Sequence, residues 1–197
     1  MNKLSAIATV GRTLGIVIGV VFLLMVIMMI TMVCIVKSND AYKGDYKSVL
    51  AAGNPSAQKA LIVYQPSASG APTDIANQMA KGLNKAGYEV TLTYPGKHVS
   101  DDLSRFSLVA FGSAVYAGKP SAQLTDTMSK IKDYKNKTVI LYSVGQMAEA
   151  PELDVLRKSL NGGKENYAQK FVAKGDAGQT AYNFGYKAGT ESVKNAG

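Results

Sequence analysis

Apolar and polar positions change period several times along this chain, and each change marks an element. From Leu14 to Val36 no residue is charged, and Thr31 is the one polar side chain of note. At about 1.5 Å rise per residue such a run crosses a hydrocarbon core of about 30 Å, which predicts a membrane-spanning helix within residues 1–36. Residues 37–58 have no periodicity and carry Gly53-Asn54-Pro55-Ser56 near their end, the composition of a tether. Tyr42 and Tyr46 within that stretch suit the lipid headgroup region.

From Lys59 onward the pattern becomes that of a folded domain over residues 59–197. Ala60–Tyr64 is a short apolar run rich in β-branched residues, as in a strand buried on both faces. Gln65–Pro72 has a loop composition, and from Thr73 the spacing Ile75, Met79, Ala80, Leu83 is helical until Lys85-Ala86-Gly87 stops it. Further strands are predicted over Tyr88–Tyr94, Ser107–Phe111, Thr138–Val144 and, at an edge, Ala168–Lys174. Asp101–Phe106 reads as a short helical turn that opens on a charge pair, Asp101-Asp102. Helical spacing recurs over Lys119–Lys132, through Leu153, Leu156 and Leu160 up to Asn161-Gly162-Gly163, and over Gln179–Val193 despite its two glycines. Such alternation predicts an α/β fold, an open five-stranded parallel sheet with helices on both faces. Ligands of such sheets bind outside the carboxyl ends of the strands, where the strand order reverses. The loops after the first, third and fourth of these strands are therefore the candidate site.

Composition narrows the picture. One cysteine in 197 residues, Cys34 inside the apolar run, excludes an intrachain disulfide and a cysteine metal cluster. Thr31-Met32-Val33 ahead of it is no cleavage pattern, and the run exceeds the ~7–15 residues of a signal peptide core, so an uncleaved anchor is expected. Lys3, Arg12 and the terminal amine flank one end of the run while Lys37, Lys43 and Lys47 flank the other, which leaves orientation open. Gly11, Gly15 and Gly19 fall four apart, a pattern that lets two membrane helices pair as a homodimer. A net charge of +8 favours an anionic membrane face or an acidic partner, and no basic, aromatic-studded motif points to nucleic acid. His98, the single histidine, reads as a solvent-facing loop residue with no second ligand for a metal. No acid/base pair or nucleophile triad is visible.

The first candidate loop carries Ser67, Ser69, Gly70 and Thr73 where a helix begins. Unpaired N–H groups and partial positive charge at that place suit a phosphate. Here the chain resembles the flavodoxin family, from about Lys59 to the C-terminus. Ser67-Ala68-Ser69-Gly70-Ala71-Pro72-Thr73, followed by Ile75-Ala76, is similar to that family's phosphate loop. Phe111-Gly112-Ser113-Ala114-Val115-Tyr116-Ala117-Gly118-Lys119-Pro120 resembles its Gly-Ser-Pro-Val-Tyr-x-Gly run, and Ala181-Tyr182-Asn183-Phe184-Gly185 the start of its closing helix.

The resemblance implies a sheet of strand order 2-1-3-4-5 and an FMN cofactor. It places the phosphate on Ser67, Ser69, Thr73 and the backbone around Gly70. Tyr116 would stack on the isoalloxazine, with Gly112, Ser113 and Gly118 in the run beside it. Gly145 and Met147 follow the fourth strand, Met147 standing where a second aromatic is frequent. Ala71 and Pro72 depart from the family's Asn and Thr, removing a hydroxyl and a backbone N–H; Ala114 replaces a Pro, and the chain is basic where flavodoxins are acidic.

The function so implied is a single-pass, membrane-anchored electron carrier at the cytoplasmic face of the cell membrane. It would move electrons through FMN between a redox partner protein and a membrane-associated acceptor. An enzyme on the same scaffold is the alternative, either a quinone reductase or a protoporphyrinogen dehydrogenase of flavodoxin type. A flavin-free, membrane-tethered binding module is a third reading, to which Ala71 and Pro72 point.

Overall fold

The computed structural model describes residues 3–196, and the side chains of residues 11–194. The Lys3 side chain and the terminal amine, two of the flanking charges, lie outside the described residues. Two units are separable, residues 1–38 and residues 39–197.

The first unit is the body of α1 (Lys3–Asp40). Its Gly11–Asp40 portion is long and apolar enough to cross a membrane, with an 18-residue stretch of mean hydropathy 3.1. Side chains such as Phe22, Leu24 and Met28 are exposed on every side of it, a surface suited to lipid rather than to water. Gly11, Gly15 and Gly19 have open space where a Cβ would stand.

The second unit runs β1 (Lys47–Leu50), β2 (Lys59–Gln65), α2 (Ala71–Lys85), β3 (Glu89–Thr93), β4 (Leu108–Ala114), α3 (Ala122–Lys130), β5 (Thr138–Gly145), α4 (Glu152–Lys158), β6 (Tyr167–Val172) and α5 (Ala177–Ala196). Its sheet has the order β1-β3-β2-β4-β5-β6. The last five are parallel and reproduce the expected order; β1 adds an antiparallel edge on β3. β2, β4 and β5 are buried on both faces, which is why they read as unbroken apolar runs. Ala60, Ile62 and Tyr64 of β2 join the core under α2 and α5, while Leu61 and Val63 join the one under α3 and α4. Each such aliphatic side chain contributes about 1.5–3 kcal/mol by leaving water. The glycines of the last helix have a packing reason: a Cβ on Gly185 would stand 2.4 Å from Met79 O, so α5 and α2 touch backbone to backbone.

Several boundaries move. β4 continues through Ala114 and β5 through Gly145, because the ladder runs on to Ala114↔Val144 and Gly145↔Val172. Gly112, Ser113 and Gly145 are therefore strand residues, although the sequence suggests loops. α2 starts at Ala71: Gly70 turns the chain with φ 73°, and Pro72 sits in the first turn, where a missing N–H breaks no helical bond. Asp101–Phe106 is a non-helical turn closed by Phe106 N donating to Leu103 O at 2.9 Å.

The stretch read as a tether is partly ordered. Gln65 Nε2 donates to Asn39 O at 2.6 Å and Ala41 O at 2.9 Å, and Ala122 N at the start of α3 donates to Asp40 Oδ1 at 2.9 Å. Tyr46 stacks on Tyr94 with ring centroids 4.5 Å apart. His98 is an exposed loop residue as expected, but its ring is held: the side chain is 23% exposed, Nδ1 pairs with Asp45 at 2.7 Å, and Nε2 lies 3.0 Å from Thr93 Oγ1. Residues 39–46 thus lie against the carboxyl ends of β2 and β3.

Candidate functional site

β2 is flanked by β3 on one side and β4 on the other, so the strand order reverses between β2 and β4. The register Gln65↔Ser113 and Ser113↔Ser143 sets the ends of β2, β4 and β5 side by side. The three candidate loops leave from there.

The loop after β2 is held by its own short bonds. Gly70 N donates to Ser67 O at 3.1 Å, and the Ser67 and Ser69 hydroxyls share a hydrogen bond of 2.9 Å. Ala71 N reaches Ser69 Oγ only at 3.4 Å, and Gly70 offers the helix no side-chain cap. The first turn of α2 is thereby left for an outside acceptor. No Lys or Arg occurs between Gln65 and Asp74, so backbone dipoles and hydroxyls would supply the attraction. Thr73 turns inward instead: its hydroxyl interacts with the phenol of Tyr64, whose pKa burial pushes far up, with Tyr94 adding to the rise.

The loop after β4 forms a two-residue hairpin. Tyr116 N donates to Lys119 O at 3.1 Å and Lys119 N to Tyr116 O at 3.0 Å. Ala117 (φ 49°) and Gly118 (φ 72°) both lie in the left-handed region, as the mirror-image turn requires. Gly118 accepts that geometry freely, whereas Ala117 is strained. Tyr116 is half-buried at the base of this hairpin. Ser113, in contrast, is wholly buried: its hydroxyl accepts from Ser121 N at 3.1 Å and donates to Ala114 O at 2.9 Å. Gly112 serves the core, since its missing Cβ would stand 2.1 Å from Tyr142 Cζ.

After β5, residues 146–149 are exposed, Met147 to 73%. Gly145 joins the two loops: a Cβ there would lie 3.7 Å from Val115 Cβ and 2.9 Å from Lys170 Nζ. The structure thus brings together Ser67, Ser69, Gly70, Tyr116, Gly118, Gly145 and Met147 at neighbouring strand ends. It turns Thr73, Gly112 and Ser113 to inner contacts. A cleft of about 520 Å³ lies between α2 and the β6–α5 junction, lined by Ala71, Asp74, Gln78, Lys81 and Lys174, and includes none of Ser67, Tyr116 or Met147.

Sequence reasoning missed Glu152, Ser143 and Lys170. Glu152 Oε1 accepts from Ser143 Oγ at 2.6 Å and from Lys170 Nζ, and the two charged side chains are 1% and 9% exposed. Burial by itself would raise the Glu152 carboxyl, but the Lys170 and Ser143 hydrogen bonds outweigh it and hold the group below its usual range. Partners on α4 and β6 leave no spacing signal by which a sequence could announce the pair.

A family profile described as Flavodoxin domain matches residues 61–195. No curated protein sequence is similar enough to this chain to be matched with it. Among solved structures, a flavodoxin from the domain Archaea is similar with TM-score 0.53 and 18% identity, over 69% of this chain and 99% of that one. Oxidised Flavodoxin 2 from Bacillus cereus gives TM-score 0.55 and 20% identity over 68% of this chain and 98% of its own. The Flv1 flavodiiron core from Synechocystis sp. PCC6803 gives TM-score 0.56 and 18% identity over 72% of this chain, but this chain spans only 37% of it. At such identities the likeness is one of fold.

Proposed function

The chain belongs to the flavodoxin domain family, and from that footing we propose that it is a membrane-anchored FMN protein passing electrons between a redox partner and a membrane-associated acceptor. FMN is the cofactor that goes with the family. When bound, it supplies reversible electron transfer through its ring system.

The chain's own residues fit that group. The Ser67 and Ser69 hydroxyls bond each other, and Ser69 takes only a long 3.4 Å bond from Ala71 N–H, so a phosphate would improve on all three. Pro72 removes one donor without disturbing these. Two buried oxygens, Gln65 Oε1 and Ser121 Oγ, have no partner among the described residues, and the hydroxyls of a ribityl chain are donors of the kind they lack. Tyr116 offers a half-buried ring beside the crevice, Gly118 keeps its hairpin tight, and exposed Met147 offers a soft, polarizable surface opposite. Thr73 would support the loop through Tyr64, with Gly112 and Ser113 fixing β4 beneath. The observation that carries the reading is the convergence of the serine loop, the Tyr116 hairpin and the Gly145–Met147 loop at the strand-order reversal.

The anchor adds local concentration at the bilayer. A quinone reductase or protoporphyrinogen dehydrogenase-type enzyme would use the same site with a lipid-soluble substrate. Pairing of two copies through Gly11, Gly15 and Gly19 is part of the proposal and would appear as a crosslinked dimer lost on Gly15→Leu. The central test titrates the full chain in lipid nanodiscs with FMN, following quenching of flavin fluorescence. Saturable quenching is expected, with affinity lowered about fivefold by Tyr116→Ala, the worth of one aromatic stack. No binding at micromolar FMN would leave the flavin-free, tethered module in its place.

A further inference from the structure

The Glu152–Lys170 pair is out of place as a stabilising device. Other ion pairs of the domain lie at its surface, such as Lys59–Glu89 and Arg157–Asp154. This one is nearly dry. Taking charges out of water is costly, and a buried pair is seldom better for stability than well-packed apolar residues of the same volume. Its retention therefore asks for another use.

Its placement indicates one. The carboxylate is bonded at the level of Ser143, while the ammonium of Lys170 reaches further along β5 to contact Gly145. The ammonium is the member of the pair that borders Gly145, the last paired position of β5. Gly145 makes this possible, since any side chain would meet Lys170 Nζ, and Val115 at the foot of the Tyr116 hairpin borders the same point. A fixed cation thus lies where the two loops that would clasp a flavin ring leave the sheet.

We propose that Lys170, held by Glu152 and Ser143, tunes the bound flavin by favouring its reduced form. The inference rests on the FMN reading above. Two-electron reduction adds two electrons and one proton to the ring, which leaves it with one more negative charge. A nearby positive end stabilises that charge more than it stabilises the neutral oxidised ring, the more so in a poorly solvated site.

The readout is the ratio of the protein's affinities for oxidised and reduced FMN, obtained from the midpoint potential of the full chain in nanodiscs against that of free FMN. Dithionite serves as the reductant. In Lys170→Met/Glu152→Gln, which removes both charges, preference for reduced FMN is expected to fall about tenfold. In Glu152→Gln alone, which leaves the cation uncompensated, it is expected to rise. A merely structural pair would lower melting temperature without moving the two ratios in opposite directions. Ratios equal to wild type in both variants would overturn the proposal while leaving FMN binding intact. A wild-type chain that binds no FMN would overturn both.

Discussion

Gly112 shows how one residue can carry two readings. In sequence it belongs to a run suggestive of cofactor contact; in the fold, the ring of Tyr142 fills the volume a Cβ would take. Tyr142 is wholly buried and its ring packs edge-on to Phe171, 6.1 Å between centroids, so it has no free direction in which to yield. Gly112→Ala is therefore expected to lower the unfolding free energy by about 2–3 kcal/mol, the cost of overpacking a tight core. Urea denaturation of the domain would register it, and an unchanged midpoint would mean that Tyr142 repacks freely. Nothing local in the sequence distinguishes this glycine from one that admits a ligand, because its partner lies 30 positions further on. Lys170 and Glu152 were hidden for the same reason: a lone Lys in a strand and a lone Glu at a helix start both read as solvated until topology places one against the other. The turn at Ser67, Ser69 and Gly70 was legible because it is local, a turn followed at once by a helix.

At the scale of elements, legibility follows burial. β2, β4 and β5 are covered on both faces and wrote themselves as apolar runs. β1, four residues at an edge with alternate residues exposed, has too little buried surface to leave a pattern, and the stretch from residue 37 read as a tether. That stretch has structural duties. Asp40 accepts the N–H of Ala122 at the start of α3, where Ser121 makes no side-chain cap, and Gln65 grips the carbonyls of Asn39 and Ala41. A domain cut to begin at Ser56 would lose these bonds together with β1, whereas one beginning at Asn39 would keep them. One helix cap is worth about 1 kcal/mol and each buried hydrogen bond about as much, so the shorter form is expected to be less stable by about 3 kcal/mol or more. Comparing the two by urea denaturation tests this. Asp40→Ala in the longer form should by itself reproduce about one third of that destabilisation. Equal midpoints would return residues 39–50 to the status of a passive tether.

At the scale of the whole molecule, the chain joins an apolar helix that has no use in water to a domain whose fold has no need of a membrane. On the proposed anchoring, the physical consequence of such a joining is concentration. A domain held at a bilayer meets lipid-dissolved molecules at an effective concentration in the millimolar range, against micromolar for the same domain free in solution. If the electron acceptor is a lipid-soluble quinone, reduced and FMN-loaded full chain in vesicles should be reoxidised at least about tenfold faster than residues 39–197 added to the same vesicles at equal micromolar concentration. The basic charge of the chain would narrow that gap on anionic vesicles at low salt and restore it at high salt, since screening releases the free domain from the surface. Stopped-flow absorbance of the flavin follows both reactions. Equal rates on neutral vesicles would mean that the acceptor is reached from water, and the partner to seek would then be a soluble protein meeting the same three loops.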